Sequence, residues 1–226
     1  MSTTEEDVVA EVKTDAVREA IAKTFAEELG DDFVDQHIVP GSDLTIRIAS
    51  SAWVQAATFA RDKLGMTWLD FISAIDWMPS PFGREMDAEQ DWAATGRDAD
   101  DTEMTTGVAG GDTRFQMFMR VYSIDEHIGV TIKADVETEA PSIDTLIPVY
   151  PGASWHEREV WEMFGINIAG HPDLRVLYLP TGFEGNPLRK DYPLVARRVK
   201  PWPGIVDVEA MPGEDEDAEG EEGAAQ

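Results

Sequence analysis

The chain has 226 residues, enough for one domain with a real hydrophobic core plus extensions, and a formal net charge of -27. That acidity repels phosphate backbones and anionic lipid headgroups before contact, so neither nucleic acid nor a membrane surface is an expected partner. Cysteine is absent, which excludes disulfides, nucleophilic thiols, thiolate zinc sites and cysteine-held iron–sulfur clusters.

Residues 1–13 are acidic, lack the basic start and apolar run of a secretory signal, and are expected to be disordered. No apolar run approaches the roughly 20 residues that span a bilayer, so direct membrane insertion is not expected and the chain alone should be soluble and cytoplasmic. From Thr14 to Leu29, Val17, Ile21, Phe25 and Leu29 recur every four residues on one helical stripe, and Gly30 supplies the stop. Phe33 to Val39 and Leu44 to Ala49 bracket the turn residues Pro40, Gly41, Ser42 and Asp43 and read as a hairpin. Ser51 is placed to cap a second helix, which buries Val54, Ala57, Ala60 and Leu64 before Gly65.

Three alternating runs follow: Leu69, Phe71, Ser73 and Ile75; then Phe115, Met117, Met119 and Val121; then Ile128, Val130, Ile132, Ala134 and Val136. Period two makes each a strand with one buried face. Short turns favour antiparallel pairing, so residues 14–150 are expected to form an α+β domain, an antiparallel sheet with helices packed on one face. Residues 79–113 interrupt it with an acidic segment that lacks an apolar period and reads as a mobile surface excursion.

Residues 151–208 differ in character, with as many bases as acids, whereas 209–226 form an acidic tail without a base that is expected to be disordered. Ser154 and Glu157 suit a reciprocal capping box for a helix from Trp155 to Phe164, and Arg158 and Glu162 stand four apart, as for a pair across one turn. Prolines at 172, 180, 187, 193, 201 and 203 then force an extended strap, whose Leu174, Val176, Leu177, Tyr178, Leu179, Phe183, Tyr192 and Trp202 need a surface to cover them. That surface belongs either to the chain's own domain or to another subunit.

The bland reading of these charges is a solvated helix face. His156, Glu159, Glu162, His171 and Asp173 are legitimate metal ligands, but their spacing matches no closed zinc pattern and position 160 is Val, which breaks HExxH. Glu157, Glu159 and His171 could supply an acid and a base, yet no pocket is indicated. GVAGGD at Gly107 to Asp112 lacks the lysine and flanking elements of a phosphate loop. Trp155, Arg158, Trp161, Arg175, Tyr178 and Arg189 are types enriched at protein interfaces.

The run Glu157, Arg158, Glu159, then Glu162, Met163 and Phe164, then His171, Arg175, Leu177 and Tyr178, resembles the signature of the 30-kDa subunit family of respiratory complex I, the C subunit of the bacterial NADH-quinone oxidoreductase. GFEGNPLRKDYPL, Gly182 to Leu194, with Arg189, Lys190, Asp191 and Tyr192, is similar to the family's second segment. The insertion and acidic tail depart from the family pattern. The resemblance implies a non-catalytic scaffold subunit in the peripheral arm of a proton-pumping complex, on the cytoplasmic side of the cell membrane and held there through the complex. It implies no cofactor in this chain, with FMN and iron–sulfur clusters in partner subunits, and a strap lying across the quinone-reducing D subunit and neighbouring iron–sulfur subunits. Trp155, His156, Glu157, Arg158, Glu159, Glu162, Phe164, His171, Arg175, Tyr178 and Arg189 to Tyr192 are the expected interface residues. Arg158 paired with a flanking glutamate is the expected buried ion pair, one whose breakage would cost about 3 to 5 kcal/mol. An equivalent subunit of a related membrane-bound hydrogenase or dehydrogenase is one alternative; a stand-alone metal-dependent hydrolase using residues 156–173 is another.

Overall fold

Residues 15–79 and 103–192 are described by the structure, a computed structural model. The expectations for residues 1–13, for 80–102 of the insertion, for the strap beyond Tyr192 and for the acidic tail lie outside them.

Helix α1 spans Ala16–Leu29 and is capped by Asp15, whose Oδ1 accepts the Arg18 N–H at 3.1 Å. The other oxygen accepts the Gly41 N–H at 2.8 Å, which joins the start of α1 to the hairpin turn. These bonds from Gly41 and Arg18 hold the carboxyl down at about 2. Phe25 and Leu29 are buried as expected, but Val17 is exposed and Ala22 takes a core position. A strict four-residue step drifts about 40° each time around a 3.6-residue helix, so the first member of the stripe has rotated away from the core.

Strands β1 (Phe33–Val39) and β2 (Asp43–Ile48) form the hairpin. A 3₁₀ turn, Ser50–Ala52, precedes α2 (Trp53–Leu64). Ser51 is therefore no cap; its hydroxyl donates to Asp32 at 3.2 Å, and Ala52 holds the cap position without a side-chain bond. Trp53, Ala56, Ala57 and Ala60 are buried, with Val54 and Leu64 packed partly against them.

Strands β3 (Trp68–Asp76), β4 (Phe115–Ser123) and β5 (Ile128–Val136) follow, then β6 (Ser142–Asp144), α3 (Ala153–Phe164) and β7 (Asn167–Ala169). β4 and β5 bury the expected residues, apart from a partly exposed Ile128. On β3 the parity changes midway. Leu69 faces Val121, Phe71 faces Arg120 and Ile72 faces Met119, so Asp70 is an extra residue in a bulge. Beyond it Ile72, Ala74 and Asp76 are the buried set, and Phe71 moves to the opposite face, edge-on to Phe118 at 5.7 Å.

The main sheet has the order β1-β2-β5-β4-β3. β2 and β5 run parallel, Thr45 facing Thr131 and Ile48 facing Ala134, so one pairing departs from the expected meander. β6 and β7 form a separate parallel pair flanking α3 in sequence. Core side chains of α1, α2 and α3 join one apolar cluster with Leu44, Ile46, Met117, Met119, Val130 and Ile132.

The opposite face of the sheet is also partly covered. Lys133 donates to the carbonyls of Val108 at 2.8 Å and Gly110 at 3.3 Å, while Gln116 donates to the Gly110 carbonyl at 3.0 Å and to Asp135 at 2.6 Å. Arg47 binds Asp135 at 2.6 Å and also pairs with Asp112. The return limb of the insertion thus lies on the sheet rather than projecting from it. Burial pushes the Lys133 ammonium below its ordinary range, with Asp135 opposing and Arg47 reinforcing the shift.

Candidate functional site

Helix α3 begins two residues before the expected start. Gly152 holds its cap position with no side-chain bond, so the Ser154–Glu157 capping box is not formed. Glu157 instead turns into the protein, 2% exposed, and accepts the Thr145 hydroxyl at 2.6 Å and the Leu146 N–H at 2.5 Å. Its reach is to the segment after β6, a partner distant in sequence.

His171, just after β7, does meet Glu157. Its Nε2 lies 4.0 Å from a Glu157 oxygen and 3.4 Å from both the hydroxyl and the carbonyl of Ser154. Nδ1 accepts the Asp173 N–H at 3.0 Å, so the proton sits on Nε2 in this arrangement. Serine and carboxylate both face the same ring nitrogen, and the imidazole is fully buried. A nucleophile–base–orienter relay needs them on opposite nitrogens, so this cluster is built to hold the strap's root, not to activate the serine. Burial raises the Glu157 carboxyl above its ordinary range; the bonds from Thr145 and Leu146, with the two histidines His171 and His156, offset this only in part.

The next residue, Arg158, is 8% exposed and donates to the carbonyls of Arg175 and Val176, each at 3.0 Å. Glu162, also buried, accepts the N–H groups of Leu177 at 2.8 Å, Tyr178 at 3.0 Å and Leu179 at 2.7 Å. A cation gripping carbonyls beside an anion gripping amides satisfies both halves of an extended backbone that has no strand beside it. The expected Arg158–glutamate ion pair is therefore corrected: among the described residues no carboxylate stands within 4 Å of Arg158, because the strap's backbone has taken both partners. Burial would raise the Glu162 carboxyl, but the three backbone donors and the Arg158 charge outweigh it and hold it below its ordinary range.

The end of α3 is closed by the same strap. Asn186 donates to the Glu162 carbonyl at 2.8 Å, the Leu188 N–H to Met163 at 3.1 Å, and Arg189 to Phe164. These are carbonyls that a helix terminus leaves unpaired. Gly165, at φ +69, permits the approach: a Cβ there would meet Asn186 Oδ1 at 2.6 Å and Arg189 Nη2 at 2.8 Å.

The remaining signature residues divide by exposure. Phe164 is in the core, while His156 and Glu159 are half-buried. Arg175 is exposed and pairs with Asp173 at 2.9 Å. Trp155, 62% exposed under the Arg158 guanidinium, and Tyr178, 61% exposed, face outward with Val176, Phe183 and Leu188. Tyr192 stacks on Phe183 at 5.9 Å. The Lys190 N–H binds Asp76 at 2.8 Å, and Asp191 pairs with Arg114 at 3.0 Å. Arg114 and Thr145 do not stand out in the sequence, and Asn186 does so only as part of the segment Gly182 to Leu194. Asp76 carries a weak signal there, a carboxylate at the end of an apolar strand.

Among the described residues no three His, Asp or Glu side chains come together as a metal-holding group, and no helix is long and apolar enough to cross a membrane. The fold and the site define a class, an α+β domain with a terminal strap clamped along its last helix. A family described as respiratory-chain NADH dehydrogenase, 30 Kd subunit, matches residues 46–198, and the chain belongs to it. The NADH-quinone oxidoreductase C/D subunit of Yersinia pestis bv. Antiqua (strain Angola) is 29% identical over 177 residues, covering 76% of this chain and 28% of the relative. The protein of that name from Photorhabdus laumondii subsp. laumondii is 41% identical over 88 residues, covering 39% of this chain and 15% of the relative. The chain thus spans at most 28% of these relatives. A chain of the membrane-bound sulfane sulfur reductase, an archaeal respiratory membrane complex, has the same fold at a TM-score of 0.52 and 16% identity, covering 79% of this chain and 86% of that one.

Proposed function

We propose that this chain is a cofactor-free structural subunit in the peripheral arm of a proton-translocating NADH:quinone oxidoreductase, held on the cytoplasmic side of the membrane by its partners. Its role in catalysis is geometric: it fixes neighbours that carry FMN, iron–sulfur clusters and the quinone site. The family match across residues 46–198 carries this reading. Support comes from the strap, whose backbone is satisfied internally while Trp155, Val176, Tyr178, Phe183 and Leu188 stay outward. Aromatic and apolar groups on a rigid base are what a protein partner covers. The quinone-reducing D subunit is the favoured neighbour, because the relatives' own name joins C with D; iron–sulfur subunits are the others. The chain offers no cysteine thiolate to a cluster.

The test is the pair Tyr178→Ser and Leu188→Ser, since both side chains face outward and neither makes one of the clamp's hydrogen bonds. Native gels of membranes, with peptide identification of the bands, should show less assembled complex and unchanged NADH:quinone turnover per complex assembled. Normal assembly, or a band made of hydrogenase subunits, overturns the proposal.

A further inference from the structure

Asp76 is the most heavily bonded carboxylate at the edge of the insertion. Its side chain is fully buried and accepts Arg114 Nε at 2.9 Å, Arg114 Nη2 at 2.7 Å, the Met78 N–H at 3.0 Å and the Lys190 N–H at 2.8 Å. Three passages of chain meet there: the outgoing limb of the insertion at Met78, its return at Arg114, and the end of the described strap at Lys190. Asp191 adds a second carboxylate on Arg114. The next side chain, Phe115, has a guanidinium at each of two positions near its ring, Arg114 at 4.6 Å and Arg189 at 5.1 Å, and Arg189 also closes α3.

The residue after Asp76 carries the connection to the other face of the sheet. Trp77 donates its backbone N–H to the Arg114 carbonyl at 2.8 Å and its indole N–H to Gln116 at 2.8 Å. Its ring leaves no space at Gly107, where a Cβ would lie 3.0 Å from it, and Lys133 sits 5.6 Å from its centroid. Lys133 and Gln116 in turn hold the carbonyls of Val108 and Gly110. An unbroken series of bonds therefore leads from Lys190 through Asp76 and Trp77 to the limb at Gly107–Asp112.

We propose that the strap end and the insertion's neck form a single cooperative latch centred on Asp76, so that lifting the strap from α3 unfastens residues 107–112 from the sheet. A buried carboxylate that loses the Lys190 N–H and the Asp191–Arg114 pair is left with fewer donors in a dry site, which weakens its hold on Arg114 and Met78 together. A partner that grips the strap thereby sets the insertion's base, and the protein can register its own assembly. This does not depend on which complex the partner belongs to.

Native-state hydrogen exchange on the full-length chain tests it without mutation. In graded denaturant the amides of Met78, Trp77, Gly110 and Lys190 should open with one free energy and one denaturant slope, below the global unfolding seen at Met119 and Ile132. Different slopes for Lys190 and Gly110 overturn the latch. As a second arm, Asn186→Ala with Arg189→Ala loosens the strap end from α3, leaving only the Leu188 N–H on Met163 there, without changing Asp76 or Lys133. Exchange at Gly110 and Asp112 should then rise about tenfold, the factor associated with one hydrogen bond to a charged group. Unchanged exchange at those two amides, with Lys190 exposed, rejects the proposal.

Discussion

Glu157 and Glu162 lie little more than one turn apart on one helix, and both are buried, yet their carboxyls move in opposite directions. Glu162 collects three successive backbone N–H groups, with Arg158 adjacent; Glu157 has two donors and a histidine 4.0 Å away. Both carboxylates are shielded from solvent, but Glu157 is packed round more deeply, so desolvation prevails there, whereas at Glu162 three backbone donors and the Arg158 charge outweigh it. The first end of α3 is held by Glu157 bonding to the segment after β6, and the second by charge reading a backbone.

The largest break in this comparison is Glu162→Ala. It strands three strap amides and should cost roughly 3 kcal/mol in urea unfolding, about 1 kcal/mol for each of the three bonds because water can reach the freed amides, with exchange rising first at Leu177 to Leu179. Arg158→Ala should cost less, about 2 kcal/mol, because the freed carbonyls of Arg175 and Val176 are at the surface and water can reach them. A loss at the 3 to 5 kcal/mol of a broken buried ion pair would argue against the backbone clamp.

The smallest effect is the most diagnostic. Glu162 sits below its ordinary value of 4.5, so its contribution is present above that pH and is lost as the pH falls through the depressed folded value. Glu157 sits above 4.5, so its contribution is full below that pH and is lost as the pH rises through the raised folded value. Denaturation of Glu162→Gln and Glu157→Gln between about pH 2 and pH 7 should therefore flatten opposite limbs of the wild-type stability curve, the acid limb below 4.5 for Glu162 and the limb above 4.5 for Glu157. Parallel shifts of both variants would show that the two sites are alike after all.

Elements with local causes were legible in the sequence. Helix periodicity at Phe25 and Leu29, the hairpin around Pro40 and Gly41, and the alternation of β4 and β5 need no distant partner. The bulge at Asp70 was not legible, because one extra residue leaves an equally regular alternation of the wrong parity. Neither was the β2–β5 pairing, which follows from closing the sheet and not from any turn. At the site, the signature residues were legible as a polar group, but their partners were read at i, i+3 and i, i+4 spacing. The bonds run to Thr145, Leu146 and residues 175–179, far along the chain, where side-chain spacing says nothing and only backbone placement does.

The parallel register of Thr45 against Thr131 sets an order for synthesis. While the ribosome is still making the middle of the polypeptide, α1 and its hairpin have no sheet to join, because the strand that receives β2 has not emerged. Pairings so distant in sequence slow folding, and an unmatched strand edge is a template for aggregation in the meantime. The solubilising effect of the excess negative charge is then of greatest use to the nascent chain, whose apolar strands wait in water for β5.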